Sequence, residues 1–319
     1  MSRAAVGKMP RAGLTRVKRN SKFSAFLTNP KALTGVIIFA IFTLTAILAP
    51  VIAPYNPAAT TFLPMLPPSA VHWFGTTNTG QDIFSQFIWG TRTSMEVGIE
   101  AAVISTLIAF LIGGYAGLMG GWLDALLNSF SNILLVLPTL ALLLVIESFV
   151  HNPTPQFNGL TIAFTSWAWG ARVFRSLALS LAQRDFIVAA RLSGAGSIRI
   201  LFSEILPNMT SVLASNLIYS FLGAVLFEAG LAVLGFENVS TYSLGTILYW
   251  AQNGGAMMEG AWWWFVPPGL AIAVLGTSLI LMNFAIDQIT NPRLREQKRQ
   301  RKANKRTGRD SGVNQQPSA

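Results

Sequence analysis

The sequence predicts an all-α integral membrane protein with six membrane-spanning helices, and three observations carry that expectation. Hydrophobic residues make up 52% of the 319, and mean hydropathy is +0.49. Only 11% of residues are charged, against roughly 25% in an ordinary soluble domain. The net charge of +10 is also confined: residues 1–31 hold eight basic residues and no acidic one, residues 290–319 hold nine, and only six remain for the 258 positions between. A soluble nucleic-acid binder would spread its Lys and Arg over folded faces, whereas this is an apolar body between two basic tails.

The spans follow in order. Residues 32–53 form an uncharged run of 22, enough to cross a hydrocarbon core that takes about 20 residues. The basic leader resembles a signal peptide. The apolar run is too long for a cleaved one, however, and Pro50 and Pro54 crowd the place of a cleavage site, so this is an uncleaved first span. Residues 54–94 begin with Pro54, Pro57, Pro64, Pro67 and Pro68. Further on, Ile83, Phe84, Phe87 and Ile88 share one helical face, which predicts a short helix lying on the outer interface. Residues 95–118 form the second span, with Glu96 and Glu100 near its start. Residues 125–146 are an uncharged third, and 158–176 a fourth whose uncharged run from 159 to 171 is only 13 long. The fifth, 209–234, carries Glu228 alone, and the sixth, 261–286, is uncharged throughout. Trp262, Trp263 and Trp264 suit an aromatic belt.

Orientation follows from where Lys and Arg lie in short loops. With both termini inside, 22 of 23 basic residues are cytoplasmic and only Arg92 is outside. Residues 1–31 are then a basic cytoplasmic tail, 32–289 the transmembrane body, 177–208 its one sizeable inner loop, and 290–319 a second basic tail of disorder-prone composition. The tails fit orientation and anionic headgroups; nucleic-acid binding is a remote alternative.

The absence of cysteine excludes disulfides, cysteine-ligated metals and a catalytic thiol. His72 and His151 belong to no motif and read as ordinary surface residues. No Gly-x-x-x-x-Gly-Lys-Ser/Thr loop occurs, so the chain is not itself a P-loop ATPase. Gly113, Gly117 and Gly121, spaced four apart, permit close helix approach, and packing outweighs pore lining as their role. Asn128, Ser129, Ser131 and Asn132 line a polar path or bond between helices, two readings that stay open. Glu147 and Glu228 lie near the outer ends of their spans, where a structural or interfacial role is favoured over substrate contact; no stack of carboxylates suggests a proton relay.

The inner loop is the most informative stretch. Ala189 and Ala190 favour helix. Gly194 and Gly196 allow a bend, Ile198, Leu201, Phe202 and Ile205 recur at helical spacing, and Pro207 stops or restarts the chain. Such a projecting amphipathic element suits docking in another protein's groove.

Ala189-Ala190, Gly194 and Ile205-Leu206-Pro207 resemble the EAA loop of ABC importer permeases: Gly194 follows Ala190 by four residues and Pro207 follows Gly194 by thirteen, with Val188 in place of the usual leading Glu. Gly75-Thr-Thr-Asn-Thr-Gly-Gln-Asp82 is similar to the outer Gly-Thr-Asp-x-x-Gly-Arg-Asp motif of the dipeptide, oligopeptide and nickel permease family, with Thr77 for Asp and Gln81 for Arg. Phe227-Glu-Ala-Gly-Leu-Ala-Val-Leu-Gly235, Pro268-Gly-Leu-Ala-Ile272 and Asn291-Pro-Arg-Leu-Arg295 are similar to later segments of that family, most like its C-type permease, Asn291 replacing an Asp.

The resemblance implies a type I ABC importer permease (MetI-like) architecture in a prokaryotic inner membrane. It implies as partners a second homologous permease, two ATP-binding subunits that hold ATP and Mg, and an extracellular solute-binding protein. It assigns coupling to Ala189, Ala190, Gly194, Ala195, Ile198, Ile205, Leu206 and Pro207, and the outer motif to Gly75, Thr76, Gly80 and Asp82, with no catalytic, cofactor or metal residue in this chain. Peptides are the expected substrate and oligosaccharides the alternative; nickel is least favoured. An ion-coupled transporter or channel, or a membrane-embedded enzyme, would need coupling charges or a nucleophile–base pair.

Overall fold

The computed structural model describes residues 29–290, so both basic tails, apart from residues 29–31 and Thr290, and the Asn291–Arg295 motif lie outside the described residues. Among them every regular element is helical: α1 Pro30–Ile47, α2 Ala49–Ile52, α3 Ile83–Met119, α4 Gly121–Val136, α5 Thr139–Ser148, α6 Pro155–Ala182, α7 Asp185–Leu192 and α8 Ser197–Ile200. A π-helical turn, Leu201–Ile205, leads into α9 Leu206–Val233, followed by α10 Leu244–Asn253 and α11 Trp262–Thr290. The two ends of the bundle differ. One, the turn end, holds α7, α8 and the π turn; the other, the clasp end, holds residues 53–82 and α10.

The central seam is α3 against α6. A side-chain carbon on Gly113 would strike the backbone of Ala171, and one on Gly117 would come 2.8 Å from Ala178 Cβ. The two helices therefore approach to backbone contact, as the spacing of four anticipates. Gly159 lies beside Glu100 and Phe110 beside Phe174 at 5.8 Å, so both helices run in the same direction. α4 and α5 must accordingly carry the chain back along the height of the bundle. Gly121 has nothing within reach and takes no part in the seam.

α9 packs antiparallel on α3, with Leu201 near Gly114, Phe221 and Val225 against Gly98 and Glu228 at Ser94. α1 lies along α11, where Gly35 meets Ser278 and Met282. Among the described residues four apolar clusters fill the bundle: one at the turn end around Phe110, Phe174 and Ile205, one around Met95, Phe221 and Leu275, one joining α5 and α6 to α3 and α9 around Val97, Leu143 and Ile162, and one at the clasp end around Ile83, Ile247 and Trp264.

Several boundaries depart from expectation, each for a local reason. The short interfacial helix and the second span are one 37-residue helix. Asp82 caps its start, and nothing between 83 and 119 breaks it. The third span is bent by 85° between α4 and α5, where Pro138 caps α5. Of the two readings of Pro207, the stop does not occur and the restart does: Pro207 lies in the first turn of α9. Pro207 lacks an N–H, and the chain widens into the π turn just before it, Leu206 N bonding Leu201 O, so that helix runs on from Ser197 to Val233. The inner loop begins only after Ala182, since α6 extends to it. Of the expected belt only Trp262 is exposed; Trp263 and Trp264 pack into the clasp end.

By length and composition four helical stretches suffice to cross a bilayer: α1, α3, Ser197–Val233 and α11. α4 with α5 makes a fifth if the bent pair is one span. The expected six is not reached on this criterion, because α6 is long enough but too polar, carrying Arg172 and Arg175. Both arginines bond to α4: Arg175 pairs with Asp124, its Nη2 2.7 Å from Oδ2, and Arg172 Nη2 donates to Asn132 Oδ1 at 2.7 Å. Asn132 is thus an interhelical partner.

The seam makes a direct prediction. Gly113→Ala forces α3 and α6 apart and is expected to cost about 1–3 kcal/mol, read as a lower Tm in detergent. Gly269→Ala, where nothing lies within 4 Å, should leave Tm unchanged or slightly raised.

Candidate functional site

At the turn end, α7 finishes in a complete Schellman motif. Ala195 N bonds Ala190 O at 3.1 Å, Gly194 N bonds Arg191 O at 3.0 Å, and Gly194 has φ +80. The spacing from Ala190 to Gly194 is therefore the geometry of a helix stop. Ala190 and Ala195 pack together against the core, while Ala189 and Gly194 face outward. Arg191 Nη2 donates to Leu118 O at 2.8 Å, tying α7 to the open carbonyls ending α3.

The predicted helical face divides in two. Ile205 and Leu201 are buried in the core beneath, as are Ile187 and Ile200, and Leu206 is partly buried. Ile198 and Phe202 point outward with Pro207. Ile205 and Leu206 consequently anchor the element, and the outward surface belongs to α7 and α8. Phe186, Val188 and Leu192 join that surface, Leu192 at 85% exposure. These three were not legible from the sequence, because on α7 they flank buried Ile187 without the i, i+3 and i+4 repeat of a single helical face.

At the clasp end, the Gly75–Asp82 motif holds the connection to α3. Thr76 Oγ1 accepts from Leu66 N and donates to Leu63 O, at 2.9 and 2.7 Å. Gly75 and Gly80, both at positive φ, press against the backbone oxygens of Leu66 and Phe62, leaving no room for a side chain. Asp82 is 1% exposed and accepts from Ser85 N, Ser85 Oγ and His72 Nδ1, at 2.8, 2.7 and 2.9 Å. The expectation that His72 is a surface residue is thus corrected: it is buried beside Tyr55 and Phe62 because Asp82 gives its ring a partner. His151 is exposed as expected. A cavity of about 410 Å³ opens beside the clasp, lined by Thr77, Asn78, Gln81, Tyr242 and Trp250 among others. Thr77 and Gln81, the two departures from the outer motif, keep its wall uncharged.

A third arrangement lies beneath the clasp end. Glu147 and Glu228 are 2% and 0% exposed, so neither reaches water or headgroups as their span-end positions suggested. Glu228 Oε2 accepts from Ser94 Oγ, which also accepts from Leu244 N. Glu237 accepts from Ser243 Oγ at 3.1 Å, the hydroxyl that caps α10. Burial, then the charge of Glu228, push the Glu237 carboxyl well above its usual range; Ser243 and a loosely placed Asn158 amide pull it down, and Glu147 pushes it up. Carboxylates from α5, α9 and the following loop thus converge, which the sequence concealed because they are separated by up to 90 positions. Among the described residues no group of His, Cys, Asp or Glu could hold a metal ion.

Asp82→Ala removes a cap worth about 1 kcal/mol and leaves buried partners unpaired at about 1–3 kcal/mol more. A large fall in Tm is expected, with Asp82→Asn recovering much of it. Glu237 gives a pH signature. Because its folded value is raised, its contribution is full below the ordinary 4.5 and is lost as pH rises from there toward the folded value. Glu237→Gln should match the wild-type Tm near pH 4.5 and exceed it at alkaline pH.

Comparison with known proteins agrees with this architecture. Residues 109–296 match the family described as binding-protein-dependent transport system inner membrane component. Residues 23–68 match the N-terminal TM domain of oligopeptide transport permease C. A Brucella suis protein provisionally named a peptide permease is 33% identical over 258 residues, 80% of this chain and 85% of the relative. The oligopeptide transport system permease proteins OppC of Mycobacterium bovis and Mycobacterium tuberculosis are 32% identical over 253 residues, 78% of this chain and 86% of theirs. On both the family match and these identities, the chain belongs to the binding-protein-dependent transport system inner membrane components, the non-catalytic permease subunits of ABC transporters.

Proposed function

We propose that this chain is a six-span permease subunit forming half of the translocation path of an ATP-driven peptide importer, with both termini cytoplasmic. The relatives named for peptides and oligopeptides support the substrate class. Counting α6 as a span is supported by its direction: it runs parallel to α3, with α4 and α5 as the bent return between them. The pairing of Arg172 and Arg175 with α4 removes the objection that α6 is too polar. In this reading the turn end, with Arg184, Arg191 and Arg199, is cytoplasmic, and the clasp end faces the solute-binding protein.

The observation that carries the reading is the outward surface of α7 and α8. Phe186, Val188, Leu192, Ile198 and Phe202 are each exposed at the turn end, around a Schellman turn continuous with α9 through the π turn. This surface docks in a separate ATP-binding subunit. Ala189, Gly194 and Ile198 lie at the contact, Ala190 and Ala195 set the turn, and Ile205, Leu206 and Pro207 join it to α9. Nucleotide supplies the differential binding that any change of conformation requires, and the movement enters the membrane through α9. The second permease and the solute-binding protein complete the assembly; ATP and Mg belong to the ATP-binding subunits.

Gly194→Val tests this. A β-branched residue at positive φ costs roughly 1–2 kcal/mol and tilts α8 while leaving the core intact. ATP hydrolysis by the assembled importer should continue while peptide uptake into vesicles falls roughly tenfold. Wild-type uptake and hydrolysis together, or purification without any ATPase, would overturn the assignment.

A further inference from the structure

Halfway along α6 and α9 the bundle surface is indented by a notch of about 130 Å³, lined by Ser166, Trp169, Gly170, Asn216, Tyr219 and Ser220, with Gly223 and Phe227 toward one end. Gly170 lies near the middle of α6 (Pro155–Ala182), and Tyr219 and Ser220 near the middle of α9 (Leu206–Val233), which on the six-span reading puts the notch at mid-membrane depth. Trp169 and Tyr219 bridge the two helices edge to face at 6.2 Å and are 53% and 47% exposed.

Those two side chains are out of place for a lipid-facing surface. Trp and Tyr belong at the membrane–water boundaries, where their N–H and O–H reach water. Here the Trp169 Nε1 and Tyr219 hydroxyl groups have no hydrogen-bond partner among the described residues. In hydrocarbon each unpaired donor costs several kcal/mol. The floor is polar as well: Asn216 Nδ2 donates to Thr106 Oγ1 at 3.0 Å and reaches Ser220 Oγ at 3.5 Å. Its Oδ1 lies against Gly170, where a side-chain carbon would come within 2.5 Å, and receives no donor among the described residues. The notch therefore presents the Trp169 and Tyr219 donors, the Ser220 hydroxyl, one amide acceptor and aromatic faces, with no charged side chain in its lining.

We infer that this notch is a peptide-contact site on the wall of a water-filled path, where Trp169, Asn216 and Tyr219 bind the neutral main chain of the passing peptide. The inference rests on the peptide-importer reading above and adds the residues that meet the substrate. A peptide bond offers one N–H and one C=O, the complement of the Asn216 oxygen and the Tyr219 and Trp169 donors. An uncharged lining suits the group that all peptides share, since a fixed charge would favour one class of side chain. The notch holds only a residue or two, so the rest of the peptide is met by the second permease.

The chain has no cysteine, so an introduced thiol is the only one it contributes, and importer with the unaltered chain gives the background. Tyr219→Cys and Trp169→Cys would be placed in the complete importer in vesicles, with Leu44→Cys on the exposed face of α1 as the lipid-facing control. The expected result is that positions 219 and 169 react with a charged, water-soluble thiol reagent in the nucleotide-free or the ATP–vanadate state, at least tenfold faster than position 44. Trialanine should slow that reaction. Reaction with a lipid-soluble maleimide alone would mean that the notch faces lipid, and reaction with neither reagent that the second permease covers it; either overturns the inference. Water reactivity without trialanine protection would also overturn it as a peptide site. Tyr219→Phe keeps the ring and removes only the hydroxyl; KM for trialanine uptake should rise roughly threefold to tenfold with kcat little changed. An unchanged KM would remove the hydroxyl from the contact. Wild-type importer that fails to take up trialanine with ATP would sink the peptide reading itself, while the reactivity of position 219 would still report whether the path is wet.

Discussion

The close approach of α3 to α6 is the constraint on which the rest of the structure depends. Lipid offers no hydrophobic gain for pressing two apolar helices together, so the seam has to come from packing at backbone distance. Gly113 and Gly117 on one side, and Ala171 and Ala178 on the other, provide it. Because the two helices run in the same direction, the seam dictates the return through α4 and α5 and places α9 as an antiparallel partner. It also aligns the ends: Leu118 meets Arg191 at one, and Glu100 meets Gly159 toward the other.

The polar contacts of the bundle differ between its two ends. At the clasp end His72, Asp82, Thr76 and Ser85 bond among themselves and to backbone, so the outer connection is fixed to the first turn of α3. The carboxylates below it fasten α10 to α3 and α9 through Ser94 and Ser243. At the turn end Arg191 reaches Leu118 O and Arg175 pairs with Asp124, while Leu192, Ile198 and Phe202 stay exposed outside these bonds. A face without its own polar partners is suited to taking them, and apolar contacts with them, from another subunit.

Much of this was legible in the sequence, and the failures have physical causes. Apolar runs located α1, α3, α9 and α11, because a run of that length can only be buried or in lipid. The spacing from Ala190 through Gly194 marked a turn that the structure shows as a Schellman stop. Pattern could not show that Pro207 would be absorbed by a π turn, because the remedy lies in the backbone ahead of it. It could not show the His72–Asp82 pair or the convergence of Glu147, Glu228 and Glu237, which requires helices to be packed first. Length and composition do not reach the six-span count at α6 for the same reason, since Asp124 and Asn132 stand opposite its arginines only once the helices are packed.

That pairing bears on how the protein is made. An arginine opposes insertion of an isolated span by up to about 2.5–3.5 kcal/mol, the cost at its centre, and α6 carries two in its second half. Its partners lie 40 and 51 positions earlier in the chain, on α4. They have therefore already emerged from the ribosome when α6 does. On the six-span reading proposed above, α6 can then leave the translocon as one arm of a hairpin with its charges already satisfied. On that reading the order of the chain, and not only its final packing, admits a polar segment to the bilayer.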